Sequence, residues 1–394
     1  MKFVLAPDSF KGSMSASVAA GAMAAGVQRA LPGALCELVP MSDGGEGLVD
    51  ALTAAIGGQV VGVAAHDALG RPIQARIGVA PGGLAVIETA SAAGLDRIAP
   101  AERDVRRAST FGAGELVRAA LDRGTRRLIV GLGGSATNDA GSGWLSALGA
   151  RFLDGAGAEL PPGGASLAGL ARVDVAGLDA RLAACRIDVA CDVDNPLLGR
   201  DGASAVFGPQ KGASASDVVD LDAALTRWAD VVEACVGRSV RDAPGAGAAG
   251  GLGAALLAFT PARLRTGIDI VMDAVDFDAA LAGADCVFTG EGCVDAQTRH
   301  GKVPWGVLRR AQRFGVPTVI FGGQVTPEAE ELLDAGAAAL VPIGRTDQTL
   351  DAALAAGPAN LAAAAETATR RMLGAGPECL RPHHPGQHPR RPGT

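Results

Sequence analysis

The 394-residue sequence contains no tyrosine, and aromatic residues make up only 3% of it. Its core must therefore be built from Ala, Val, Leu and Ile. Seven cysteines are odd in number, widely scattered and never arranged as CxxC, which argues against a zinc knuckle, a redox dithiol or a disulfide framework. Histidine is scarce outside the last segment, where only His66 and His300 occur, so a His-rich metal centre or a Ser-His-Asp triad is hard to assemble. Positive charge is also short: 35 basic against 42 acidic residues give a net charge of −7, with no basic stripe interleaved with aromatics before the tail, so nucleic acid is not an expected partner. No apolar run approaches the roughly 18 to 20 residues needed to span a bilayer, and the N-terminus lacks a signal-peptide core. A cytoplasmic protein with no membrane partner is expected.

Lysine is the most informative scarcity. Only Lys2, Lys11, Lys211 and Lys302 occur, the other basic residues being arginine, and three of the four sit in Gly-rich or turn-rich motifs. A compact, flexible ammonium suits contact with a phosphate oxygen. What is abundant fits a globular enzyme: 48% apolar and 20% charged residues, over a length suited to two domains.

Apolar runs read as strands at Lys2–Ala6, Cys36–Pro40, Leu84–Glu88, Arg127–Gly131, Arg186–Ala190, Cys286–Thr289, Thr318–Phe321 and Ala338–Pro342. Helical patterns lie between them, at about Ser15–Ala30, Gly112–Asp122, Val218–Cys235, Val303–Phe314 and Leu350–Leu373. This alternation predicts an α/β fold with parallel sheets covered by helices, whose ligands bind beyond the carboxyl ends of the strands. Residues 374–394, rich in Pro, Gly, Arg and His, read as a disordered tail.

The polar motifs fall in the predicted loops. Asp8 and Lys11 follow the first strand in APDSFKGS, suited to a metal, a hydroxyl or a phosphate, or else to a local turn. Asp43 lies in SDGGEG, where Glu46 could simply complete a capping box. The sequence GLGGSATND after Leu128–Gly131 is a phosphate cradle by its chemistry: Gly133 and Gly134 leave successive amides free, and Ser135 and Thr137 add hydroxyls, with Asn138 beside them. It is neither a Walker A loop nor a GxGxxG fingerprint. Asp192 and Asp194 in CDVDNP suit Mg²⁺ or a general base, and Lys211 follows in FGPQKG. GAGAAGGLG at Gly245–Gly253 allows close backbone packing. Asp295 and Lys302 in TGEGCVDAQTRHGKVP are placed to act on a phosphoryl group, whereas Glu291 and Thr298 read as braces.

Taken in order, APDSFKGSMSA, SDGGEG, GLGGSATNDAGSG, CDVDNPLLG with VFGPQKGA, GAGAAGGLG and TGEGCVDAQTRHGKVPWGV resemble the successive signatures of the bacterial glycerate kinase family, of the glycerate 2-kinase type, over about residues 1 to 373. The resemblance implies phosphorylation of D-glycerate by ATP with Mg²⁺, commonly at the 2-hydroxyl, in glyoxylate or sugar-acid catabolism. It also implies a flavodoxin-like domain built from both chain ends (1–75 and 268–373) and an inserted central α/β domain (76–267) with a restriction-enzyme-like core, the site lying in the cleft between them. A homo-oligomer is allowed for. Ala140 departs from the family pattern, which usually has Gly there.

The residues are then assigned as follows. Asp192, Asp295, Lys11 and Lys302 are expected to be catalytic. Asp8, Asp43, Gly133, Gly134, Ser135, Thr137, Asn138 and Lys211 are expected to bind substrate or phosphate, and Asp192 and Asp194 to hold the metal. Asp8, Asp43 and Asp295 are the reserves for the base. The alternatives are a kinase of a related small hydroxy acid and a non-catalytic nucleotide or acid sensor on the same scaffold.

Overall fold

A computed structural model describes residues 1–42, 47–299, 301–344 and 348–375. Asp43, Glu46 and the tail from 376 onward therefore lie outside the described residues. Two compact units form, one from residues 1–43 with 272–394 and the other from residues 44–271.

In chain order the strands are β1 (Lys2–Leu5), β2 (Leu35–Leu38), β3 (Gln59–His66), β4 (Pro72–Ala80), β5 (Leu84–Glu88), β6 (Arg127–Gly131) and β7 (Arg151–Leu153). They continue with β8 (Arg172–Asp174), β9 (Arg186–Ala190), β10 (Arg263–Arg265), β11 (Cys286–Val294), β12 (Thr318–Val325) and β13 (Ala339–Pro342). The first unit carries a sheet in the order β13-β12-β11-β1-β2, parallel throughout. The second carries β10-β9-β6-β5-β4-β3, in which β5, β6, β9 and β10 run parallel while β3 and β4 form an antiparallel hairpin joined to β5. A small antiparallel pair, β7 with β8, completes it. Both main sheets have parallel strands with helices between them, as the alternation of apolar runs predicts.

Burial follows from connectivity. Strands in parallel sheets need crossover helices, which cover the faces and make the strands apolar on both sides. Phe3, Val4 and Leu5 of β1 and Leu128, Ile129 and Val130 of β6 are all buried accordingly. In the first unit Phe3, Phe288 and Phe321 interlock edge-on at 5.4 and 5.0 Å between ring centres. In the second, Trp144 and Trp228 anchor the largest core cluster.

The first unit ends earlier than the sequence suggests. Residues 59–80 fold with the second unit, because β4 spends its other edge on β5. In β4 the polar Gln74 and Arg76 alternate with Ile73, Ala75 and Ile77, so that strand does not read as an apolar run, whereas β3 is mostly apolar with alternating burial over its second half. The expected helix over 350–373 is two helices, Leu350–Ala355 and Gly357–Ala375.

The chain ends of the first unit are joined by helix packing. The Ala16–Ala30 helix starts at Ser15, whose hydroxyl accepts from the Val18 amide at 3.3 Å. It lies against the Gly357–Ala375 helix so closely that a Cβ at Gly26 would stand 2.2 Å from the Ala362 carbonyl oxygen. Replacing Gly26 with Val should therefore cost about 2 kcal/mol or more through overpacking. Urea unfolding would show it as a lower midpoint, and an unchanged midpoint would disprove this account of the packing.

Candidate active site

Within the second unit the glycine loop leaves β6 at its carboxyl end. Gly134 takes φ +69°, a left-handed turn that glycine adopts without strain. Its carbonyl accepts from Leu95 N at 2.8 Å, and Ala136 N donates to Ala93 O at 2.8 Å, so the loop is strapped to the segment after β5. Gly133 and Gly134 line two cavities, one of about 350 Å³ and one of about 460 Å³.

The larger cavity is also lined by Ser135, Cys191, Asp192 and Lys211. Lys211 is 3% exposed, and its Nζ donates to Ser135 Oγ at 3.1 Å and to the Thr137 carbonyl at 2.8 Å. Burial pulls its pKa down to about 8, against the opposing pull of the Asp139 carboxylate. It remains mostly charged at neutral pH, and it stands beside the amides suited to an anion.

Thr137 and Asn138 face the interior. The Thr137 hydroxyl donates to Ala249 O at 3.4 Å and the Asn138 amide to Ser204 Oγ at 2.9 Å, so their side chains brace the loop. Asp139, absent from the sequence-level assignment, is the principal brace. Its carboxylate accepts from Thr110 N at 2.8 Å, Thr110 Oγ1 at 3.0 Å, and the amides of Gly141 and Gly143, each at 3.2 Å.

The Gly245–Gly253 segment packs on this loop rather than serving as a linker. Ala140 N donates to Gly250 O at 2.9 Å, and a Cβ on Gly250 would lie 2.0 Å from Thr137 O. Ala249, Gly250 and Gly251 all take positive φ to make the turn. Glu88, at the end of β5, lines the smaller cavity and accepts from the first amides of the Leu48–Ala55 helix; burial raises its pKa above the ordinary value. Nothing in the sequence around Glu88 marks it, since it reads as the last residue of a strand.

Asp192 lines the larger cavity and accepts from Gly267 N at 3.0 Å, whereas Asp194 is exposed and does not line it. No group of three His, Cys, Asp or Glu suited to a metal occurs among the described residues. One lining carboxylate is nevertheless compatible with Mg²⁺, which takes one or two carboxylates and completes its shell with phosphate oxygens and water.

The first unit holds a separate cluster. Its chain passes from β1 outward to β2, then returns on the other side of β1 as β11. Two neighbouring strands whose connections run opposite ways open a crevice at their carboxyl ends. There the Asp8 amide donates to Gly290 O at 2.8 Å, and Gly292 lies against the backbone of Phe10 and Lys11. Lys11 is exposed.

Lys302 Nζ sits 3.3 Å from Asp295 Oδ1 and 3.7 Å from Glu291 Oε2. Thr298 Oγ1 donates to Glu291 Oε1 at 2.7 Å. Glu291 is 7% exposed, and its pKa is pushed up to about 7, chiefly by burial and also by the charges of Asp8 and Asp295, although Thr298 and Lys302 favour the ionised form. For Asp295 burial alone would raise the pKa, but Lys302 and the amides of Gln297 and Thr298 hold it below the ordinary value. The structure thus brings Asp8, Asp295 and Lys302 together with Glu291, which sequence reasoning treats as a brace. The signal that could have singled Glu291 out is its place inside an otherwise apolar strand.

Two outcomes follow from this geometry. Ala140 takes φ +50° with its side chain fully buried, a left-handed conformation that glycine adopts without strain. Ala140→Gly should relieve about 1 kcal/mol of strain but lose about 0.8 kcal/mol of methyl burial, leaving stability nearly unchanged. Gly141→Ala should be clearly destabilising, since its Cβ would meet Ala255 Cβ at 2.6 Å at φ +66°. Similar melting temperatures for the two variants would contradict this.

For Glu291, the folded protein keeps the proton up to about pH 7, while the unfolded chain releases it near the ordinary 4.5. The folded state therefore binds more protons between those values, so this group's contribution to stability falls as pH rises from 4.5 to 7. Glu291→Gln should remove that fall, narrowing the difference in urea midpoint between pH 5 and pH 8. A difference equal to wild type would refute the shifted carboxyl.

Comparison with known proteins agrees with this architecture. The glycerate kinase family model matches residues 3–373. The chain is 47% identical over 344 residues to the glycerate kinase of Bacillus subtilis, covering 87% of this chain and 90% of that one. It is 44% identical over 353 residues to the glycerate 2-kinase of Escherichia coli, covering 88% and 93%. A crystal structure from Salmonella typhimurium LT2, assigned as a glycerate kinase 2, superposes with a TM-score of 0.87 at 45% identity, over 96% of this chain and 99% of that one. On this evidence of sequence and fold, the chain belongs to the glycerate kinase family.

Proposed function

We propose that this chain transfers the γ-phosphoryl group of ATP to the 2-hydroxyl of D-glycerate, giving 2-phosphoglycerate, in the cytoplasm. The observation that carries the reading is Lys211, a buried ammonium bonded to a glycine loop beside a cavity lined by that loop's amides. Such an arrangement suits phosphate oxygens, because the donors are fixed before the anion arrives and no water competes for the ammonium.

Phosphoryl transfer asks the protein for positioning and for offset of negative charge more than for covalent chemistry. In the second unit Gly133, Gly134 and Ser135 hold phosphate oxygens, and Lys211 offsets their charge. Asp192, with Asp194 nearby in sequence, would hold Mg²⁺, which when bound neutralises phosphate charge.

In the first unit Glu291 is the preferred base. Its pKa near 7 lets it accept the acceptor hydroxyl's proton at neutral pH, whereas the lowered pKa of Asp295 makes that carboxylate a poor acceptor. Asp8 and Asp43 stand in reserve. Lys302 and Lys11 are the cations assigned to developing negative charge in this unit.

The first unit is further proposed to be flavodoxin-like. Its order, read from the β2 edge, corresponds to 2-1-3-4-5 when strands are counted within the unit, which is the flavodoxin order. The mixed six-stranded sheet is the proposed counterpart of the restriction-enzyme-like core.

The test supplies purified protein with ATP, Mg²⁺ and D-glycerate and couples the product to enolase alone, or to phosphoglycerate mutase plus enolase. Signal with enolase alone is expected. Signal only with mutase would move the reaction to the 3-hydroxyl, and silence in both would discard glycerate. In the same assay Glu291→Gln should lower kcat by about 10²- to 10⁴-fold. Near-normal kcat there, with Asp295→Asn inactive, would transfer the role to Asp295.

A further inference from the structure

A third cavity of the second unit, about 360 Å³, shares no lining residue with the two that flank the glycine loop. Its volume lies within the range of small-molecule sites. One side is the turn after β3, closed by Asp67, whose Oδ1 accepts from the amides of Leu69 and Arg71, both at 2.9 Å. The Asp67 carboxylate is also paired with Arg71 Nε at 2.5 Å, so the acid is already compensated. The His66 ring stands edge-on to Phe111, 6.2 Å between centres, with Nδ1 3.0 Å from Glu115 Oε2. Leu69, Pro161 and Pro162 supply further apolar wall.

Arg107 also lines this cavity and is exposed. No carboxylate lies within ion-pair distance of its guanidinium among the described residues, unlike Arg71, Arg106 and Arg118 nearby in the fold. A cation without a counter-charge, beside an aromatic ring and prolines, is complementary to a planar organic anion.

The cavity is also wired to the glycine loop. Ser109, which lines it, donates from Oγ to Asp139 Oδ2 at 3.3 Å, and Thr110 next to it supplies two further bonds to the same carboxylate. Asp139 in turn accepts from Gly141 and Gly143 just beyond the loop. Any shift of residues 107–111 is therefore felt by the loop's principal brace.

We propose that this cavity is an effector site for a small aromatic carboxylate, held by Arg107 against Phe111, which alters nucleotide binding through Ser109 and Asp139. The proposal's kinetic half rests on the reading of the glycine loop as the nucleotide phosphate site; its binding half does not.

Calorimetric titration of the full chain with benzoate, and with benzamide as the neutral counterpart, tests the binding half. Saturable benzoate binding is expected, weakened about tenfold or more in Arg107→Ala, as for loss of one charge-assisted hydrogen bond, with the melting temperature unchanged. Absence of saturable binding in wild type, equal binding of benzamide, or equal binding by Arg107→Ala would overturn the site. In the kinase assay saturating benzoate should change the KM for ATP about fivefold or more. Ser109→Ala should still bind benzoate while losing that change. Binding with an unaltered KM in wild type would overturn the effector role and leave the kinase reading intact.

Discussion

The buried carboxylate of Asp139 is the interaction around which the second unit's site is arranged. It is fully buried, and burial raises its pKa, yet it collects donors from Ser109, Thr110, Gly141 and Gly143. A buried acid is tolerated only where its oxygens are bonded, and the bonds here come from two stretches of chain, Ser109–Thr110 and Gly141–Gly143. The carboxylate thus ties the start of the Phe111–Asp122 helix to the chain that leaves the glycine loop. Its charge also favours the protonated form of Lys211, the other buried titratable group of the loop. Thr137 and Asn138, just before Asp139, also turn inward, and their side chains bond Ala249 O and Ser204 Oγ, which braces the loop from within.

The first unit solves a different problem, since its chain leaves after β2 and re-enters at β11. Re-entry next to β1, on the side away from β2, creates the crevice at the carboxyl ends of the two strands. Glu291 is carried there by β11 itself, two residues beyond Thr289, whose hydroxyl donates to Ala6 O at 2.7 Å. A strand holds its side chains more firmly than a loop does, and the firmness is what keeps the carboxyl of Glu291 buried beside Asp295 and Lys302. The difference between the two acids follows from their surroundings: Glu291 is enclosed by the strand, whereas Asp295 has Lys302 beside it and accepts from the amides of the turn it begins.

Much of this was legible before any coordinates. The strands over Leu84–Glu88, Arg127–Gly131 and Arg186–Ala190 are observed at those bounds, because strands buried on both faces are continuous apolar runs. The hairpin of β3 and β4 is less legible: Gln74 and Arg76 interrupt the apolar pattern of β4, and β3, though mostly apolar, has Gly62 within it and is exposed along much of its length. Of the candidate site, the paired glycines and Lys211 stand out in the sequence as unusual residues, and they line one cavity. The site was not legible where an ordinary residue acquires its character from burial. Glu88, Asp139 and Glu291 are common acids in sequence, and only the fold shows which amides and hydroxyls surround each of them.

The lysines show how the two levels join. Lys2 pairs with Glu37 at 3.0 Å and donates to Ala282 O, a structural use at the amino end of β1. Lys302 bridges Glu291 and Asp295, and Lys211 is enclosed by the glycine loop. An arginine at 211 would carry a wider, planar head with five donors into a space where only two acceptors are close, leaving buried N–H groups unpaired. Keeping Lys211 charged at neutral pH costs the fold stability, since its pKa is lowered from the ordinary 10.5 to about 8, and that cost falls away as pH rises from about 8 to 10.5. A phosphate arriving at the loop would favour the same proton, so the binding of an anion and the charging of Lys211 reinforce each other. In a chain whose basic residues are mostly arginine, position 211 is held by the more compact cation, which can be buried with its ammonium bonded to Ser135 Oγ and Thr137 O.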